Sequence, residues 1–336
     1  MKRTSNGRAF SMIELMFVIL IIALVVAIII PALGSVRENA RDQATRDLMV
    51  QISQSISQFN LSERRLPGYF TAAEMGDNQN LTEGFLALDN AMLELAGGIV
   101  PSSHPGAIQV GPTSTQRVYF HPDAIGSTGK AYFLPPARYY KTLNGSEHGS
   151  KVATNANQQV PTIVDAHGTP ILLWAPDPAA VGPIKVAADF ARPSSAGNSP
   201  ARFYGYSNAA VLNGTAVGKK TIDQSSRSLI NPTSPNGAVS LVGVLGSPGS
   251  PIDATLATAS ILPSAPRGSF ILHSAGAKGV FVGREERGGG MAGPSNTLFY
   301  GFNFKTLSGQ PHLDSAGKPS SIDIMKDFDD ILLTGS

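Results

Sequence analysis

Hydrophobic and polar positions divide the chain into three unequal stretches. Residues 15–30 are sixteen consecutive apolar residues, and Phe10, Met12, Ile13, Ala32 and Leu33 extend the run. A helix needs about 20 such residues to cross a bilayer, so this pattern predicts a transmembrane helix over 10–33. Next, Val36, Ala40, Ala44, Leu48, Ile52, Ile56 and Phe59 recur at spacings of four and then three, which makes one apolar face of a helix. Arg37, Glu38, Arg41, Asp42, Arg46 and Asp47 supply its polar surface. Proline at 31 bends a helix without having to end it in an apolar setting, and Asn60 with Pro67-Gly68 marks the stop. Together these patterns predict one helix from residue 10 to about 62, roughly 80 Å long at 1.5 Å per residue.

Past residue 63 the periodicity shortens. Strands are predicted at 117–121, 171–174, 238–245, 270–273, 280–282 and 297–304, and a second helix at 83–95. Segments 192–200, 231–237, 246–251 and 286–295 are rich in Pro, Gly and Ser and read as loops. The fold class expected is α+β, with a long N-terminal helix packed on an antiparallel sheet in a loop-rich head. The 35 glycines and 24 prolines of the 336-residue chain agree with strands and turns rather than a helical bundle.

Charge and composition narrow the function classes. The formal net charge is +2, but Lys2, Arg3 and Arg8 precede the apolar run, and the remainder carries 23 basic against 24 acidic residues. Near-neutral charge without a basic stripe argues against nucleic-acid binding. With no cysteine there is neither a disulfide framework nor a thiolate metal site. The basic residues on the N-terminal flank alone predict a cytoplasmic N-terminus and an extracytoplasmic head. A cleaved secretory signal ending at Ala32-Leu33-Gly34 and a plain signal anchor are the simpler alternatives. Neither accounts for Glu14, a carboxylate inside the apolar run that costs about 2.5–3.5 kcal/mol unless it has a partner.

The short basic leader, a small residue at Ala9, the Phe10-Ser11-Met12-Ile13-Glu14-Leu15 sequence and the long apolar helix with Pro31 resemble the type IV pilin and type II secretion pseudopilin superfamily. That resemblance implies cleavage between Ala9 and Phe10 by a prepilin peptidase, followed by N-methylation of Phe10. Ala9 stands where the family usually has glycine. Cleavage would create an α-ammonium on Phe10, and in the family the glutamate at the position of Glu14 pairs with that amine on a neighbouring subunit during filament assembly.

Two further passages carry the resemblance into the head. Asp165-Ala166-His167-Gly168-Thr169-Pro170, leading into Ile171-Leu172-Leu173-Trp174, is similar to the turn-and-strand of major pseudopilins, with His167 at a position often held by tryptophan. On its own chemistry it is a Gly/Pro turn in which Asp165 bonds its own backbone; Asp165 and His167 as half of an acid/base pair is the alternative. His273-Ser274-Ala275-Gly276-Ala277-Lys278-Gly279, with Phe328-Asp329-Asp330-Ile331 later, is similar to the family's second turn and C-terminal loop, with Lys278 at an acidic position. The family's loop binds calcium, which implies a Ca²⁺ site at Asp327, Asp329 and Asp330; an acidic cluster that is merely solvated is the alternative.

No catalytic constellation stands out. Six scattered histidines lack the His-Glu-x-x-His spacing, there is no Gly-x-Ser-x-Gly elbow, and Gly288-Gly289-Gly290 lacks the context of a phosphate loop. The expectation is therefore a non-enzymatic subunit with a leader at 1–9, a transmembrane helix at 10–33, an amphipathic helix at 34–62 and a head at 63–336. Its head is long for a major pseudopilin, which points to inserted segments in the region 177–264. The resemblance implies a structural subunit of a type II secretion pseudopilus, spanning a bacterial inner membrane once. Its implied partners are a prepilin peptidase, other copies of itself, other pseudopilins, the secretion assembly platform and the membrane. A type IV pilus subunit and a non-polymerising, membrane-anchored extracytoplasmic binding protein are the alternatives.

Overall fold

Ser11 starts the first helix, α1 (Met12–Glu63). Its hydroxyl accepts the Ile13 N–H at 3.3 Å, and Glu14 Oε2 accepts the Ser11 N–H at 3.0 Å. The Ser-x-x-Glu spacing thus satisfies donors at the open helix end in the manner of a capping box. The helix stops where Arg64 turns left-handed, with φ 57°, and donates its N–H to the Asn60 carbonyl at 2.8 Å. This computed structural model describes residues 11–127, 131–142, 156–185, 187–192, 201–212, 227–228, 230, 241–242, 244–248, 263–283 and 330–335.

The chain separates into two units, Met1–Gln43 and Ala44–Ser336, with the division inside α1. From Thr45 onward the helix contributes buried side chains to the second unit. In the first unit, Met12, Phe17, Leu20 and Leu24 are all more than 60 % exposed.

Among the described residues, no helix is long and apolar enough to cross a membrane. That finding overturns the expected single pass through a bacterial inner membrane, with its cytoplasmic N-terminus and extracytoplasmic head. The apolar stretch whose side chains are described, residues 12–27, has sixteen positions, including Glu14, against the ~20 a span requires.

The second unit is mixed α+β, and its sheets are antiparallel except for one two-stranded pair. Short helices α2 (Ala72–Met75), α3 (Asn80–Glu83) and α4 (Ala87–Leu95) lead into β1 (Gly97–Ile99), β2 (Ile108–Val110) and β3 (Val118–Ile125), ordered β1-β3-β2. Strands β4 (Tyr140–Lys141) and β5 (Thr162–Ile163) pair, and β6 (Leu172–Trp174) follows. After α5 (Ala187–Phe190), β7 (Ala191–Arg192) runs parallel to β8 (Phe203–Tyr204), and α6 (Ala209–Leu212) comes next. The rest comprises β9 (Gly246–Pro248), β10 (Pro263–Pro266), β11 (Ile271–Ser274) and β12 (Ile331–Thr334).

The sheet β12-β11-β6 is buried on both faces. Leu173, Leu272 and Ile331 pack with Leu48, Ile52, Ile56 and Phe59 of α1 and with α4. Leu172, Trp174 and Ile271 point the other way, against Phe190, Phe203, Val211, Leu241 and Val244. Side chains alternate across a strand, so one short apolar run feeds two cores. The expected packing of the sheet on the first helix is present in this unit, and residues from 177–264, the region expected to hold inserted segments, build the layer on the opposite face.

Strands predicted at 117–121, 171–174 and 270–273 correspond to β3, β6 and β11. Other expectations are corrected. The predicted helix at 83–95 is α4 with a later start at Ala87, because Glu83 ends α3 and Gly84 turns left-handed (φ 71°). Leu241, Val242, Val244 and Leu245 are helical rather than extended, and the strand comes at β9, inside an expected loop. Residues 280–282 form a bend and turn, with Val282 at φ 47°. The strand predicted at 297–304 and the loops at 231–237 and 286–295 lie outside the described residues.

Candidate functional site

At the N-terminus, the structure gives Glu14 a local role. Its carboxylate closes the first turn of α1 on the Ser11 N–H, a bond within one chain. Ala9 and Phe10, the expected cleavage and methylation site, lie outside the described residues. Around Glu14 the surface is apolar in every direction, since Met12, Ile13, Leu15, Met16, Phe17, Val18 and Ile19 are consecutive but for the glutamate and all exposed. An all-round apolar helix is stable in a protein when something covers it. This exposed segment is the candidate assembly site.

In the second unit, the two passages singled out from the sequence meet. Asp165 is buried, and its Oδ1 accepts the N–H groups of His167 and Thr169, each at 2.9 Å. Gly168 completes the turn at φ 89°, a conformation that glycine adopts without a Cβ penalty. Asp165 Oδ2 receives the Ser274 hydroxyl at 2.6 Å, and Ser274 Oγ accepts the Gly276 N–H at 3.2 Å. Burial pushes the Asp165 carboxyl up, while the Ser274 and backbone donors pull it down. The aspartate therefore ties the 165–170 turn to the turn after β11, the structural form of the turn reading. Its three donors tie it to the geometry of the two turns.

One residue before Ser274, His273 lies fully buried with its Nε2 2.6 Å from Asp330 Oδ2. Trp174 Nε1 donates to His273 Nδ1 at 3.4 Å, across the β6–β11 ladder. The indole N–H requires an acceptor at Nδ1, so the neutral imidazole carries its proton on Nε2 and donates to Asp330. Burial holds the His273 pKa down, in agreement with that neutral form. Asp330 Oδ2 also accepts the Val282 N–H at 2.8 Å. A Ser, a His and an Asp thus lie close together, yet the imidazole nitrogens face Trp174 and Asp330, and the Ser274 hydroxyl faces Asp165. The cluster locks β6, β11 and β12 together and presents no exposed nucleophile.

Of the expected calcium ligands, Asp330 is 6 % exposed and directed inward onto His273 and Val282. Asp327 and Asp329 lie outside the described residues. Among the described residues, no group of three or more His, Cys, Asp or Glu side chains is gathered as a metal site would require. Sequence reasoning missed the His273–Asp330 pair, whose signal is a histidine in the otherwise apolar Phe-Ile-Leu-His strand. It also missed Asp89, 4 % exposed on α4, whose signal is an acid within the apolar Ala-Leu-Asp-Asn-Ala-Met-Leu pattern. No family model, curated protein or solved structure matches the chain.

Proposed function

We propose that the chain is a structural subunit that polymerises through its N-terminal helix, in the manner of type II secretion pseudopilins. The observation that carries this reading is the exposed apolar surface of residues 12–27, interrupted only by Glu14. Packing that surface against the same segment of other copies removes it from water at about 25 cal/mol per Å² of apolar area. Cleavage before Phe10 would add an ammonium four residues from Glu14. On a neighbouring copy, that ammonium gives the carboxylate a charged partner and sets the stagger between helices. The work is mechanical, and the reading assigns no covalent chemistry to the second unit. The antiparallel α+β unit and the junction of the two passages at Asp165 and Ser274 support the pseudopilin reading over other helix-driven assemblies.

Co-expression with a prepilin peptidase tests processing. Intact mass is expected to report a product beginning at methylated Phe10, and a product retaining Met1 overturns this step. Assembly is tested by introducing cysteine at Ile19 and Ile22 of the full chain, which has no native cysteine to compete. Oxidative cross-linking is expected in the processed protein. Glu14→Gln separates the two roles of the glutamate, because glutamine also serves a capping box but carries no charge. Wild-type cross-linking by Glu14→Gln would leave only the cap and refute the charge pair.

A further inference from the structure

A groove of about 670 Å³ opens in the second unit between the end of α1, the segment before α2, and the chain leaving β6. Its walls include Phe70, Met75, Leu173, Trp174 and Phe203. The size and apolar lining suit a small ligand with a hydrocarbon or aromatic body. Most polar groups at its surface are already committed. Asn90 bonds the backbone of Phe70 through both amide atoms, each at 2.9 Å. Tyr204 Oη accepts the Ala201 N–H at 3.1 Å, and Arg65 is held by Glu94. Asp177 turns its Oδ1 onto the Ala179 N–H at 2.9 Å.

Arg64 is different. It lines the groove, is exposed, and makes no ion pair or side-chain hydrogen bond among the described residues. It also occupies the left-handed position that closes α1, with φ 57°, where glycine or asparagine fits best. A strained residue kept beside a groove points to a use for its side chain rather than to stability. The offered chemistry is one uncommitted guanidinium at an apolar cleft. A doubly charged phosphate would call for more than one free cation, whereas a carboxylate matches the planar fork of a single arginine.

We propose that this groove binds a small apolar carboxylate, with its body against Trp174, Phe203 and Met75 and its carboxylate at Arg64. This site is independent of the assembly reading above. Trp174 is the only tryptophan in the chain, so its fluorescence reports on the groove and not on the apolar segment of α1. The test is titration of the full chain with decanoate, 1-decanol and decylamine. Decanoate is expected to change the Trp174 emission saturably and to bind more tightly than either analogue. Arg64→Gly is expected to weaken decanoate at least tenfold and to leave decanol within twofold. Its urea midpoint is expected to equal or exceed that of the wild type, because the left-handed strain is relieved. Arg64→Lys is expected to stay within threefold of wild type for decanoate. The proposal is overturned by a non-saturating signal, by equal decanoate affinity in Arg64→Gly, or by tighter binding of decylamine, which would put the groove under the control of Asp177.

Discussion

Asp89 gives the sharpest quantitative prediction. It sits on α4 at 4 % exposure, its Oδ2 accepting the Thr162 hydroxyl at 3.1 Å while its Oδ1 has no hydrogen-bond partner. Burial pushes its pKa up to about 8, with Thr162 and the Leu86 backbone pulling the other way. The folded state therefore holds a proton that the unfolded chain, with an aspartate pKa near 3.9, releases. The favourable contribution is complete below about pH 4 and is lost as pH rises through 8. At about 1.36 kcal/mol per pH unit, the full loss is about 5–6 kcal/mol, of which about 1–2 kcal/mol falls between pH 6.5 and 8.

That narrower window isolates the effect. The buried neutral His273 acts in the opposite direction, with stability lost as pH falls below the unfolded histidine pKa near 6.5. The assay is urea unfolding of wild type and Asp89→Asn at pH 6.5 and 8. Wild type is expected to lose about 1–2 kcal/mol more than the variant over this interval. Any contribution from Asp165, whose pKa is also raised, is common to both proteins and cancels. Parallel losses in the two proteins would refute the assignment of a protonated Asp89.

Other substitutions probe the junction and the core. Asp165→Ala strands the Ser274 hydroxyl and two backbone N–H groups and is expected to cost about 3 kcal/mol in chemical denaturation, whereas Asp165→Asn keeps an acceptor and should cost less than half as much. His273→Phe removes the imidazole hydrogen bond to the buried Asp330, which keeps the Val282 N–H, for an expected loss of about 2–3 kcal/mol by the same assay. Gly98→Ala places a Cβ into the Phe120 ring at φ 105° and is expected to lower the thermal midpoint, with about 2 kcal/mol lost. Ile52→Ala removes a fully buried side chain from between α1 and the sheet and should cost about 2–5 kcal/mol.

Local signals carried much of the fold. The spacing of Leu48, Ile52, Ile56 and Phe59 identifies the buried face of α1 because a helix repeats every 3.6 residues whatever it packs against. The Asp165 turn is equally legible, since its donors lie within four residues of the carboxylate. The 241–245 segment was misread for the converse reason. A short apolar run fits a buried helix as well as a strand, and position within the core selects between them.

What the sequence determined by itself is therefore what depends on near neighbours: the long helix, its apolar and amphipathic stretches, the Gly/Pro turns and most central strands. The tertiary structure alone decided which distant residues share a site. Ser274 reaches Asp165 across 109 positions, and Asp330 reaches His273 across 57. Asp330, one of three calcium ligands that the family resemblance implied, lies 2.6 Å from the buried His273 imidazole. The groove at Arg64 exists only because the end of α1 and the chain leaving β6 come together. Periodicity encodes which face of an element is apolar; the register of one element on another encodes which polar atoms meet.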